Sequence, residues 1–192
     1  AGDKVLLGVT GGIAAYKAAY LVRRLRDAGA EVRVVMTEAT LAFIAPLTLQ
    51  ALSGNPVRWQ LLDPAAEAGM DHIELARWAD RILVAPASAD FMARLAHGLA
   101  NDLLSTLCLA TGAPVLLAPA MNRGMWLNAA TQANAALLTS RGVRLLGPDE
   151  GGQACGETGL GRMLEPDAIV EAISEHTGQL LREVPVVLTA GP

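Results

Sequence analysis

Aromatic residues are scarce in this chain, at 4% of its 192 positions. Cysteine is scarcer: Cys108 and Cys155 are the whole supply, too few for a disulfide framework at this length. A reducing cytoplasm is the simplest setting. Long hydrophobic runs are missing, since glycine, proline or charge interrupts each one, and no membrane span is expected. Ala1-Gly2-Asp3 leads straight into a strand without the apolar stretch of a secretory leader. Basic excess is absent, and a net charge of −4 speaks against a nucleic-acid surface. It does not exclude a phosphate ligand, because amides at helix N-termini bind phosphate whatever the net charge. No His and Cys stand at metal-ligand spacing, so no metal site is expected.

What the chain has is apolar bulk in short pieces. Apolar residues make up 52% and charged residues 18%, which excludes a disordered chain. The length suits one domain with a full core. Alanine, leucine and glycine are plentiful. Small residues let helices pack closely on a sheet and leave flat Ala/Leu/Met surfaces that commonly become subunit contacts. A homo-oligomer is expected.

Lys4-Val5-Leu6-Leu7-Gly8-Val9 reads as a buried strand and Thr10-Gly11-Gly12 as a turn. Ala14, Ala18, Leu21 and Leu25 recur at helical spacing, with Gly29 as a stop. Residues 31–36 form a second strand, and Thr37 is placed to cap the segment after it. Residues 47–52 look helical, 64–70 look like a loop, and 73–78 are a short helix or an approach to the third strand at 81–85. Helices come next at 89–97 and 102–110, the second with Asn101 as a candidate cap. A fourth strand starts at Val115, a helix covers 128–140, and a fifth strand covers 143–146. Residues 147–161 read as a glycine-rich loop and 166–176 as a helix. The alternation implies an α/β fold with a doubly wound parallel sheet, a three-layer sandwich of flavodoxin-like or Rossmann-like type. The tail Val184–Pro192 reads as the opening strand of a second domain, which puts the first at 1–183.

Four segments carry chemistry. The Thr10-Gly11-Gly12-Ile13 turn joins a strand to a helix, where glycines admit a ligand and the helix N-terminus favours an anion. Position 15 is Ala and no acid ends the second strand, so the dinucleotide fingerprint fails. A mononucleotide such as FMN fits better; a turn shaped only by packing is the alternative. Ala85-Pro86-Ala87-Ser88-Ala89-Asp90 ends the third strand as Ala118-Pro119-Ala120-Met121-Asn122 ends the fourth. Matching turns on neighbouring strands should build one crevice at the edge where open α/β sheets bind ligands. Ser88 can serve a ligand there, cap the next helix, or both. Cys155 lies in the glycine-rich segment, which suits a reactive thiol or a lid, whereas Cys108 reads as a small buried hydrophobe. His72 lies in a loop and, taken alone, reads as a surface or packed histidine. His97 and His176 end helices and are given no chemistry.

These motifs occur in the order seen in the flavin-containing cysteine decarboxylases. They are Thr10 through Lys17, His72, Pro86-Ala87-Ser88-Ala89, Pro119-Ala120-Met121-Asn122 through Trp126, and Ala154-Cys155-Gly156 through Gly161-Arg162-Met163. The chain resembles the branch of that family that acts on phosphopantothenoylcysteine, which in bacteria is fused to a phosphopantothenate–cysteine ligase half. The resemblance implies FMN as cofactor and a phosphorylated small-molecule substrate. In the family, the flavin oxidises the cysteinyl thiol carbon to a thioaldehyde, which can accept the electrons left by departing CO2. The resulting enethiol is then reduced to phosphopantetheine. By matched position, His72 would be the base of the oxidative step, Asn122 would hold the substrate carboxylate, and Cys155 would be the acid of the final reduction. Gly11, Gly12, Ile13, Thr37, Ser88, Ala89, Asp90 and Ala120 would line the flavin, and Met121, Ala154 and Met163 the substrate. Asp90 departs from the family's usual Asn, and a carboxylate cannot donate as an amide does. The family forms trimers that assemble into dodecamers, so His72 would be able to serve a neighbour's flavin. Three rivals are an oxidative decarboxylase that releases the enethiol, a non-catalytic flavoprotein regulatory subunit, and a plain electron-transfer flavodoxin, which has no need of His72, Asn122 or Cys155.

Overall fold

Side chains alternate across each strand, and in this chain both faces of the sheet are apolar. The computed structural model describes residues 2–64, 70–152, 154, 156 and 158–182. Its main sheet has five parallel strands: β1 (Lys4–Val9), β2 (Glu31–Met36), β3 (Arg81–Ala87), β4 (Val115–Pro119) and β5 (Arg144–Leu145), in the order β2-β1-β3-β4-β5. The helices among the described residues are α1 (Lys17–Asp27), α2 (Pro46–Ser53), α3 (His72–Trp78), α4 (Ala89–Ala96), α5 (Leu103–Ala110), α6 (Arg123–Leu127), α7 (Ala129–Ser140) and α8 (Pro166–Arg182).

On one face, Val5, Leu7, Val9, Leu83 and Leu116 pack with α1, α2 and α8. On the other, Leu6, Ile82, Val84 and Leu117 pack with α3, α4, α5 and α7. This is the doubly wound, flavodoxin-like sandwich that the alternation of elements predicts. Gly8 sets one packing distance: a Cβ there would lie 2.5 Å from Leu104 Cδ1, so α5 can approach β1 only because position 8 has no side chain.

Several elements differ from expectation. The first crossover helix is preceded by a 3-10 turn, Ile13–Tyr16. Asp102 caps α5 instead of Asn101, its carboxylate accepting from the Ser105 amide at 2.9 Å. Asn101 instead accepts from Arg94 Nη1 at 2.6 Å. Thr37 precedes a 3-10 turn, Glu38–Ala42, without a side-chain cap bond; its hydroxyl lies 2.9 Å from that of Thr40. The segment 73–78 resolves as helix, and His72 opens it. The glycine-rich segment holds an antiparallel hairpin, β6 (Asp149–Gly152) and β7 (Thr158–Arg162). The tail at 184–192 lies outside the described residues. No described helix is long and apolar enough to cross a membrane.

Candidate active site

The chain leaves the sheet at the carboxyl ends of β1, β3 and β4, three strands adjacent in the order. Connections depart to opposite faces from β1 and β3, which opens a crevice between them. Thr10, 1% exposed, stitches these two exits together. Its hydroxyl donates to the Pro86 carbonyl at 2.7 Å and accepts from the Ser88 amide at 3.0 Å. Ser88 in turn accepts from the Phe91 amide at 3.1 Å and so caps α4. The cap uses a lone pair, so the hydroxyl hydrogen is left for a ligand. The Ala120 amide donates to the Ala87 carbonyl at 3.0 Å, which sets the two Ala-Pro-Ala turns side by side.

The cleft at this edge has a volume of about 740 Å³, within the range of small-molecule and cofactor sites. Gly11, Gly12 and Ile13 line it from β1, Ser88 and Ala89 from β3, and Ala120, Met121 and Asn122 from β4. Ala154 and Met163 line it from the hairpin side. A Cβ on Gly11 would lie 2.7 Å from Ala39 Cβ, whereas one on Gly12 would meet nothing within 4 Å. Gly11 is thus small for packing, and Gly12 leaves open space inside the cleft.

Asn122 caps α6, its Oδ1 accepting from the Gly124 amide at 2.7 Å and from the Met125 amide at 3.4 Å. The oxygen is thus engaged as a cap, and the NH2 is the donor end of this side chain. The hairpin docks on this turn. The Met121 amide donates to the Gly161 carbonyl at 2.9 Å, and the Arg123 side chain packs on Gly159 so closely that a Cβ there would force it to shift. Cys155 lies outside the described residues; Gly152 and Thr158, which bracket it in sequence, are paired in the hairpin.

Three expected site residues stand away from the cleft lining. Thr37 follows β2. Asp90 accepts from Arg94 Nε at 2.8 Å, one turn along α4, with its side chain 75% exposed. His72 opens α3, behind the cap residue Asp71. Helix α3 leads into β3, and His72 is not among the residues that line the cleft.

Sequence reasoning assigned no role to Lys17 and Arg162, which also line the cleft. Both donate to Glu165 Oε1, Lys17 Nζ at 2.8 Å and Arg162 Nη2 at 2.6 Å. The hydrogen bond from Lys17, reinforced by Arg162, holds the Glu165 carboxyl below its ordinary range. Two cations against one carboxylate make this wall positive in a chain that is negative overall. Both were within reach of sequence reasoning, since Lys17 closes the Thr10–Lys17 motif and Arg162 lies in the Gly161-Arg162-Met163 motif; their meeting on one carboxylate was not. Cys108 is the opposite case: burial pushes its thiol up to about 12, which suits an inert core residue.

The flavoprotein family profile matches residues 1–178. The chain belongs to the flavoprotein family. This flavoprotein is 59% identical over 194 residues to the coenzyme A biosynthesis bifunctional protein CoaBC of Escherichia coli (strain K12), a match covering 100% of this chain and 48% of that protein. The chain spans about half the length of the curated relatives it matches. Among solved structures, a PPC decarboxylase variant complexed with pantothenoylaminoethenethiol is 31% identical, with a TM-score of 0.83, covering 93% of this chain and 100% of that one. The FMN binding protein AtHal3 is 32% identical, with a TM-score of 0.81, covering 93% and 98%.

Proposed function

We propose that this flavoprotein domain binds FMN in the cleft and decarboxylates phosphopantothenoylcysteine to phosphopantetheine in coenzyme A biosynthesis. The observation that carries the reading is the joining of the Met121–Asn122 turn to the Cys155-bearing hairpin at the rim of a cofactor-sized cleft. The likeness to CoaBC and to PPC decarboxylase supplies the substrate class.

The cleft fits FMN. Gly12 leaves room, Ile13 and Met121 give apolar walls, and Ser88 keeps a hydroxyl donor; Gly11, Ala89 and Ala120 complete the cradle. When bound, FMN supplies reversible two-electron acceptance, so that a carboxylate with no electron sink of its own can lose CO2. The Asn122 NH2 donates to that carboxylate and fixes its direction, while Met121, Ala154 and Met163 enclose the substrate. His72 accepts the proton at the oxidative step, and Cys155 returns one as the product is reduced. Because His72 stands outside the cleft of its own chain, a neighbouring subunit supplies it. Ile13 is 65% and Tyr16 63% exposed although both line the cleft, which fits a site finished by a second copy in a trimer or dodecamer. Thr37 and Asp90 are assigned to the outer margin of the flavin site.

We assign residues 1–183 to the decarboxylase unit and 184–192 to the start of a fused ligase unit, in keeping with relatives about twice as long. A cytoplasmic location suits a phosphorylated substrate that does not cross membranes unaided. The test is Cys155→Ser. The variant should still bleach its flavin and release CO2 but accumulate the enethiol, read as a product two hydrogens lighter than phosphopantetheine. Normal phosphopantetheine output would remove Cys155 from the mechanism.

A further inference from the structure

The approach to α3 is held by an unusual pair of groups. Beyond α2 the chain passes along the free edge of β2, where Arg58 makes one parallel bridge with Val35. The Arg58 amide donates to the Val34 carbonyl at 3.2 Å, and the Met36 amide donates to the Arg58 carbonyl at 2.8 Å. The Arg58 backbone is thus fixed to the sheet. Its guanidinium reaches across, Nη1 donating to the Met70 carbonyl at 2.7 Å. Arg33, on β2 itself, places Nη1 2.9 Å from Met70 Sδ and lies over the Trp78 ring at 4.5 Å from its centroid.

Arg33 shares a strand face with Val35, which is buried in the core beneath α3. The Arg33 side chain is 27% exposed, and its Nη2 also lies 3.7 Å from Glu31 Oε1, so the cation is only partly withdrawn from water. Both arginines converge on Met70, two residues before His72. The next residue is held as well: the Asp71 carboxylate accepts from the Glu74 amide at 2.7 Å and its carbonyl from the Leu75 amide at 3.0 Å. Leu75 and Ala76 are buried and set the roll of the helix. At its far end, Thr111 Oγ1 donates to the Ala76 carbonyl at 3.1 Å. The backbone is therefore restrained immediately before and after His72, and the restraint before it depends on guanidinium groups.

We infer that Arg58, supported by Arg33, is a positioning residue for His72. It clamps the Met70 carbonyl so that the imidazole is presented in one place to the site it serves. The inference rests on the proposed role of His72 as the base of the oxidative step. A base displaced by about 1 Å loses much of its rate, while the cleft, the cofactor and the substrate contacts stay as they are. A charge-assisted bond to a carbonyl gives the clamp both strength and direction.

The experiment compares FMN-loaded, fully assembled protein with its Arg58→Gln, Arg58→Lys, Arg33→Met and His72→Asn variants. Each is mixed anaerobically with phosphopantothenoylcysteine, and the flavin bleaching rate is followed against substrate concentration. Arg58→Gln should slow bleaching at saturating substrate by about tenfold or more, with half-saturating concentration, FMN content and assembly size unchanged. Arg58→Lys, which keeps a cationic donor, should recover most of the rate, and Arg33→Met should show a smaller loss. An unchanged saturated rate in Arg58→Gln, a loss that only tracks FMN content or assembly, or a Lys variant no better than Gln overturns the clamp. If His72→Asn still bleaches its flavin, the reading of His72 fails instead. If His72→Asn is blocked while Arg58→Gln is not, only the clamp fails.

Discussion

Gly11 and Gly12 are neighbours in sequence, but they lack side chains for different reasons. Gly11 abuts Ala39, while Gly12 faces open cleft. Both glycines line the cleft, and the two readings of this turn in the sequence, a ligand cradle and a packing requirement, divide only in that Gly11 alone has no room for a Cβ. Gly11→Ala should lower the stability of the apoprotein by about 1–3 kcal/mol through overpacking. Gly12→Val should leave apoprotein stability nearly unchanged and weaken FMN binding. Calorimetric melting of the apoproteins together with FMN titration checks both; loss of stability at Gly12 with normal FMN binding would refute the division. Asn122 was legible as a residue beyond a strand end because Pro119 forces that end. Its work as the cap of α6 was not, since a five-residue helix with no buried residues leaves no apolar periodicity to read. The bridging hydroxyl of Thr10 went unread for a similar reason: a buried hydroxyl between two strand exits is visible only once both exits are placed.

At the scale of elements, one carboxylate joins three pieces of chain. Glu165 lies between β7 and α8 and accepts from Lys17 at the start of α1 and from Arg162 in β7. Its carboxyl titrates below the ordinary value when the protein is folded. The stabilisation is therefore complete above the unfolded carboxylate pKa and is lost as pH falls through the lowered folded value. Its size is small because the Glu165 side chain is 54% exposed and solvent screens the pair. Glu165→Gln should flatten this part of the acid limb when unfolding midpoints are measured from about pH 6 to pH 3. Coincident acid limbs would show that the link contributes nothing. The hairpin that carries Arg162 reads as a loop in the sequence because glycine is a poor strand former. Backbone pairing and docking on the Asn122 turn supply what its side chains do not. The α5 cap moved from Asn101 to Asp102 for a simple reason: Asn101 is engaged by Arg94, and the adjacent carboxylate is in reach of the Ser105 amide.

At the scale of the whole molecule, strands and helices were legible because continuous apolar runs alternate with helical periodicity. Sheet order was not carried by that pattern. The paired Ala-Pro-Ala turns gave one adjacency, that of β3 and β4, and the structure joins them through Ala120 and Ala87; the rest of the order was not read. Assembly was the least legible property, because an exposed apolar residue such as Leu47, at 72% exposure, does not name what covers it. The proposed service of His72 to a neighbouring subunit gives that question a test. His72→Asn and Asn122→Ala chains, each inactive alone, should regain about a quarter of full activity after equal mixing, dissociation and reassembly. Random pairing in a closed ring leaves about that share of sites with both residues intact. Mixtures as inactive as their parents would place His72 in service of its own chain.

The most direct test of the central claim tracks the wild-type protein through one turnover. FMN-loaded protein is mixed anaerobically with phosphopantothenoylcysteine while flavin absorbance and product mass are recorded together. The account predicts that the flavin bleaches and then recovers without added oxidant, with phosphopantetheine and CO2 as the products. Product formation with the flavin absorbance unchanged, or permanent bleaching with release of the enethiol, would contradict it.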